Sequence, residues 1–286
     1  MLFYILKIGS KILSILPRTI CLYAGIILGY AMYWLFPLRK KVALTNLRIA
    51  FPQKSSSELK TILKKCYIHF GILSFDFMRL SKLNKNNINQ LIKLDETTKN
   101  ILDENNPSII MTGHLGNWEM LLPLLGYNNY KSAGVAQIQK NKSGEKFFNW
   151  IRSCDNTKLI PKKSSINKMS QALDENYFLI LASDQNAGKN GTLNSFFNEL
   201  TSTPKGGAIF HIKKNIPIII LFIIMNKDYT YSIKSKKLEV NFDNIKNDEK
   251  INIINQNYNI ALEKLVIKYP DQYFWFHRKW DKKHYK

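Results

Sequence analysis

Three short apolar runs restrict the possible folds of this chain more than any other feature: "PSIIMTG" at 107 to 113, "YFLILASD" at 177 to 184 and "IPIIILFII" at 216 to 224. Each is too short for a buried helix and is flanked by turn-forming or polar residues, the pattern of a strand covered on both faces. "SAGVAQI" (132 to 138) adds a further strand and "YTYSIK" (229 to 234) an edge strand. Helical segments fall between them. "NWEMLLPLLG" (117 to 126) reads as a helix despite Pro123. "TPKGGAIFHIKKN" (203 to 215) reads as a second, with Thr203 as N-cap, Pro204 in its first turn and Asn215 as its left-handed C-terminal residue. Ser55 and Glu58 form a capping box ahead of a helix near 56 to 82. Ile251, Ile254, Tyr258, Leu262 and Leu265 recur at helical spacing near the C-terminus. Strands alternating with helices predict an α/β fold with a mixed central sheet flanked by helices.

The N-terminal segment has a different character. From Thr19 to Phe36 there are 18 consecutive uncharged residues, bracketed by Arg18 and by "PLRKK" at 37 to 41. That is the lower limit for spanning a bilayer. The run ends in aromatics and a basic cluster rather than a cleavage site, so it reads as a retained hydrophobic anchoring helix over residues 1–41, ahead of a catalytic domain over 42–286. Lys7 and Lys11 interrupt the preceding apolar segment, so a helix lying in the membrane surface is the alternative to a true span. Gly25 and Gly29 form a GxxxG that chance also explains.

Forty-two Lys and Arg against 21 Asp and Glu give a formal charge of +21, which fits an anionic partner. Abundant Lys, Asn and Ile also fit a codon bias, so only basic residues near a site carry weight. The basic residues lack the aromatic interleaving of a common RNA- or single-strand-binding module, which counts against nucleic acid. Cys21, Cys66 and Cys154 form no CxxC and sit at no metal-ligand spacing, so neither a zinc site nor a disulfide framework is expected. Gly-rich dinucleotide loops, Walker motifs and the GxSxG elbow are also missing from the sequence, which removes several enzyme classes.

The chemistry concentrates at "TGHLGNWEM" (112 to 120), where a strand gives way to a turn. Ligands gather beyond the carboxyl ends of strands in open α/β sheets, which is where His114 falls. A loop between His114 and Glu119 lets the carboxylate fold back onto the imidazole and fix its tautomer, making a general base for an alcohol. H-x4-E is weak as a bare pattern, and a capped turn with a satisfied surface histidine competes with it. No serine or cysteine nucleophile accompanies the pair, so direct attack by an acceptor hydroxyl is favoured over an acyl-enzyme. Backbone N–H groups near Gly116 and Asn117, or Arg152, are the candidate oxyanion donors. His69 and His211 read as packed helix residues.

"HLGNWE", "NLRIAFP" (46 to 52), "SDQNAGKNGTLNSFFN" (183 to 198) and "DQYFWFHRKW" (271 to 280) occur in the order and spacing of a known family. The chain resembles the lipid A biosynthesis (lauroyl/myristoyl) acyltransferases of the lysophospholipid acyltransferase superfamily. The resemblance implies His114 as general base and Glu119 as its orienting partner. It places Arg152, Asp184, Gln185 and Arg278 at the substrate, with Trp275 in the closing motif; Asn117, by its place in the turn, and Lys205, as a basic residue suited to phosphate, are further substrate-binding candidates. It implies an inner-membrane enzyme facing the cytoplasm, an acyl carrier protein or acyl-CoA donor and a phosphorylated glycolipid acceptor, with no metal or other cofactor. Asn198 stands where glycine is common in the family, and the turn around Lys205 and Gly206 is only loosely family-like, which leaves the acceptor open. The alternatives are another glycolipid or lysolipid acceptor, or a catalytically silent basic protein on a membrane surface.

Overall fold

The computed structural model describes residues 1–162, 166–242 and 245–286. In chain order, four helices come first: α1 (Leu2–Ile15), α2 (Arg18–Trp34), α3 (Lys40–Ala50) and α4 (Ser56–Met78). The short α5 (Ile88–Leu91) and α6 (Glu96–Glu104) lead into β1 (Ile109–Thr112). Then follow α7 (Leu121–Tyr127), β2 (Ser132–Ala136), α8 (Lys142–Arg152), β3 (Thr157–Pro161), α9 (Ile166–Asp174) and β4 (Phe178–Ala182). A hairpin of β5 (Gly191–Phe196) and β6 (Glu199–Pro204) precedes α10 (Gly206–Lys214), β7 (Ile218–Met225), β8 (Tyr231–Lys237) and α11 (Asn247–Lys268).

The main sheet has the order β3-β2-β4-β1-β7-β8. Its neighbours are parallel except for β8, which joins β7 antiparallel and closes one edge. Every residue of β7 is buried. Because successive side chains point to opposite faces, Ile218, Ile220, Phe222 and Ile224 enter one core while Ile219, Leu221, Ile223 and Met225 enter the other. An Ile→Ala change at one of these positions costs about 2–5 kcal/mol. The α/β reading therefore holds, with two apolar layers separated by one mixed sheet.

Two local expectations change. Thr203 and Pro204 end strand β6 rather than opening a helix, and α10 starts from Lys205, which occupies its N-cap position. Asn215 does close that helix in the left-handed region, at φ 53°. The second change concerns the N-terminus. No helix among the described residues is long and apolar enough to cross a membrane. α2 stops after 17 residues and turns Cys21, Gly25, Gly29 and Tyr33 into the protein. The GxxxG is the reason: a Cβ on Gly29 would stand 2.4 Å from the Ile68 Cα, and one on Gly71 would stand 2.2 Å from the Gly25 carbonyl oxygen. α2 and α4 thus cross in backbone contact, which only glycine permits. Arg79 seals the turn between the first two helices by donating to the carbonyls of Leu13 and Leu16.

Candidate active site

The register of two adjacent strands assembles the site. Thr112 at the end of β1 pairs with Ala182 at the end of β4, and the parallel chains leave the sheet side by side. His114 and Asp184 each lie two residues beyond these positions, so they arrive at the same level. The Asp184 carboxylate meets the imidazole with Oδ1 2.8 Å from His114 Nδ1, and its Oδ2 accepts from the His114 main-chain N–H at 3.0 Å. Gly113 makes room: a Cβ there would lie 2.9 Å from both Cβ and Cγ of Asp184. Asp184 is completely buried, while the His114 side chain retains 21% exposure. Gln185, next along the same turn, places its amide nitrogen 3.5 Å from His114 Nε2.

The carboxylate that orients the imidazole is therefore Asp184 and not the expected Glu119. Glu119 accepts from Arg152 Nε at 2.8 Å and Nη2 at 2.6 Å, a bidentate pair largely screened from solvent. The Arg152 guanidinium also lies over the rings of Phe148 (4.9 Å) and Phe77 (5.5 Å), so much of its donor capacity is already used. Asp184, expected at the substrate, has no surface with which to touch one. Asn117 is likewise buried and donates its side-chain amide to the Tyr231 hydroxyl at 2.9 Å. That hydroxyl donates in turn to Asp76, which takes a bidentate pair from Arg18.

The turn after His114 is fixed by its backbone. Gly116 N–H donates to the Gln272 carbonyl and Asn117 N–H to the Ile223 carbonyl, at 3.0 and 2.8 Å, which removes both from the set of free oxyanion donors. Gly116 sits at φ +64° with its would-be Cβ 1.9 Å from the Ile223 oxygen, so no other residue fits. Lys205 and Arg278 line neither the apolar groove nor the smaller recess near the imidazole. The first heads α10, and the second is exposed, with its guanidinium 5.8 Å from the Tyr285 ring centroid. Trp275 is fully buried and donates to the Pro270 carbonyl, packing the closing segment. His69 is buried against the Gly116 carbonyl and His211 bonds the Ile216 carbonyl, as packed residues do.

Beside the imidazole runs an apolar groove of about 680 Å³. One wall is a face of α4, with Tyr67, Phe70, Ser74, Phe77 and Met78 at helical spacing, which spans about 16 Å along the axis. Phe148, Phe274 and Trp118 are among the side chains that line it from other elements. Trp118 stacks edge-on to His114 with ring centroids 4.7 Å apart. It also lines a smaller pocket of about 210 Å³ on its other side, where His114, Arg152, Gln137 and Gln139 meet. The imidazole thus lines the more polar recess and meets the greasy channel through its neighbours Trp118 and Phe274.

The sequence matches the family model described as bacterial lipid A biosynthesis acyltransferase over residues 1–282. The chain belongs to this family. It is an acyltransferase. No curated protein matches it. Among solved structures it is similar to the 1-acyl-sn-glycerophosphate (LPA) acyltransferase PlsC from Thermotoga maritima, at 13% identity and a TM-score of 0.37, over 80% of this chain and 96% of that one.

In this acyltransferase the electrostatics of the pair are set by opposing effects. Burial acts to lower the His114 pKa, but the charge and hydrogen bond of Asp184, with a contribution from Glu119, leave it above its ordinary value of 6.5. Lys162 acts weakly against them. For Asp184 burial acts upward and is overcome by the same imidazole, with His277 and Lys279, so its carboxyl lies well below the usual range and stays ionised. An ionised acceptor at Nδ1 puts the imidazole proton on that nitrogen, which leaves the Nε2 lone pair as an acceptor, with the Gln185 amide nitrogen 3.5 Å away.

Proposed function

We propose that this acyltransferase moves a fatty acyl chain from an acyl carrier protein or CoA thioester to a hydroxyl of a lipid A precursor, with His114 as general base. One observation carries the reading: an imidazole oriented by a buried carboxylate lies against Trp118 and Phe274, two of the side chains that line an apolar groove. The fatty chain lies in the groove and brings the thioester carbonyl to Trp118. His114 Nε2 takes the proton of the acceptor hydroxyl as its oxygen attacks the carbonyl carbon. Asp184 stabilises the imidazolium that forms. As the C–S bond breaks, the imidazolium returns its proton to the leaving thiolate, and no acyl-enzyme is formed. With the Gly116 and Asn117 amides engaged, the Gln185 side chain beside Nε2 is our candidate for the oxyanion donor. Glu119 with Arg152 acts as a fixed ion pair that shapes the wall between groove and recess.

Attachment to the cytoplasmic face of the bacterial inner membrane is part of the proposal, by helices lying in the interface rather than by a span. Ile5, Ile8, Ile12, Tyr23, Ile27 and Trp34 are exposed on α1 and α2, each at 54% or more. Leu6 and Met32 of the same two helices line the groove, so an interfacial pose opens the channel toward lipid. The net positive charge favours an acidic carrier protein as donor.

The test is incubation of the purified protein with acyl carrier protein and CoA donors of several lengths, offering a partially acylated lipid A precursor or a lysophospholipid, read by mass. The proposal predicts one added acyl chain on the lipid A precursor. Acylation of the lysophospholipid alone would replace the proposed acceptor.

A further inference from the structure

The closing segment holds both halves of the catalytic pair from below. Phe274 N–H donates to the His114 carbonyl at 2.9 Å. Five residues later the Lys279 side chain, fully buried, donates from Nζ to the Asp184 carbonyl at 2.5 Å. Its ammonium also lies 4.7 Å from the Phe196 ring centroid. The Lys279 carbonyl is fixed in turn by Asn186 Nδ2 at 3.0 Å and Thr201 Oγ1 at 2.6 Å. One residue thus ties the β4 turn, the hairpin and the C-terminal segment together. A lysine is seldom buried this completely unless something compensates its charge. Here the compensation is a carbonyl dipole, an aromatic face and the charge of Asp184. The proposed mechanism gives Lys279 no role.

We propose that Lys279 is a positioning residue for the His114–Asp184 pair, setting a buried positive charge behind Asp184 that offsets part of the carboxylate's pull on the imidazolium. This rests on the reading of His114 as the base. The charged or titratable groups acting on the pair are Glu119 and Lys162 at His114, and His277, Tyr258 and Tyr273 at Asp184. His277 is pushed down to about 4 by burial, which keeps it neutral near pH 7. Tyr258 and Tyr273 are held well above their ordinary values by burial and stay neutral as well. Lys279 itself is lowered to about 8 by burial, partly offset by Asp184, and so remains mostly protonated near pH 7. Its ammonium acts on the pair from the Asp184 main-chain carbonyl, to which it is bonded.

The sign of the effect separates this role from a purely structural one. Removing a cation relieves repulsion of the imidazolium, so Lys279→Met raises the His114 midpoint by about one unit. Loss of the Asp184 seat would instead lower it, because burial would act unopposed. The measurement is a pH titration of the 15N-labelled His114 ring in the full-length protein, wild type against Lys279→Met and Lys279→Arg, with the kcat/KM profile alongside. An upward shift in the Met variant, absent in the charge-keeping Arg variant, supports the proposal. An unchanged or lowered midpoint overturns it. The ring titration reads the pair even if His114 proves not to be the base, so the two failures are distinguishable. If the Met variant does not fold, the wild type decides: its Asp184 carboxyl 13C signal should show a step as Lys279 titrates near pH 8, and its absence overturns the proposal.

Discussion

Two carboxylates compete for the role of orienting His114, and a pair of isosteric changes separates them. Asp184→Asn keeps the shape and an acceptor oxygen on Nδ1 but removes the charge. With charge centres about 4 Å apart and an effective dielectric of about 20, that charge is worth at most about 4 kcal/mol, equivalent to about 3 pH units on the imidazole. The wild-type base works unprotonated and its pKa is raised above 6.5, so activity is lost as pH falls through a midpoint above that value. In Asp184→Asn the burial effect prevails, and the acid limb of kcat/KM moves below 6.5. The plateau rate above pH 8 falls about 10²–10⁴-fold, because the imidazolium of the transition state has lost its counter-charge. Glu119→Gln breaks the pair with Arg152, and whatever it does to the rate, the limb should shift only slightly downward. The assay is acyl transfer across pH 5 to 9 with a saturating donor. A limb that drops in Glu119→Gln and stays in place in Asp184→Asn would refute the assignment of the two carboxylates.

Other consequences are open to simpler measurement. Gly29→Leu drives a side chain into the Ile68 backbone and should cost at least about 1–3 kcal/mol, seen as a lower Tm and early proteolysis of α1 and α2. Ser74 is exposed on the groove wall, so Ser74→Trp should fill the channel and raise KM for long-chain donors by about tenfold, or about 1.4 kcal/mol, with short-chain donors little affected. Replacing Ile8, Ile12 and Ile27 together by Gln removes apolar area worth about 1.5–3 kcal/mol per fully buried side chain, and vesicle co-sedimentation should fall by at least tenfold while the fold is kept.

The sheet and its order along the chain are largely legible because β1, β4 and β7 are continuous apolar runs that only a doubly covered strand explains. The strand β3, "TKLIP", and the hairpin of β5 and β6 leave little trace, since both are polar and partly exposed. For the same reason Thr203 and Pro204 read as a helix start although they finish a strand. The place of His114 just beyond the carboxyl end of a strand is legible. Its partner is not: Glu119 is close in sequence, but which carboxylate reaches Nδ1 depends on β1 and β4 being adjacent and in register, and that is a property of the sheet order. The equal two-residue offsets of His114 and Asp184 become informative only once that pairing is known. The N-terminal run misleads for a related reason, because uncharged length does not reveal that a glycine stripe will be spent on a neighbouring helix.

The most direct measurement is the acyl-transfer rate of His114→Ala, compared with wild type at pH 8 in protein whose circular dichroism and vesicle binding are unchanged. A fall of at least about 10²-fold, with no acylated protein detectable by intact mass in either form, is the predicted result. Transfer within a few-fold of wild type would contradict it.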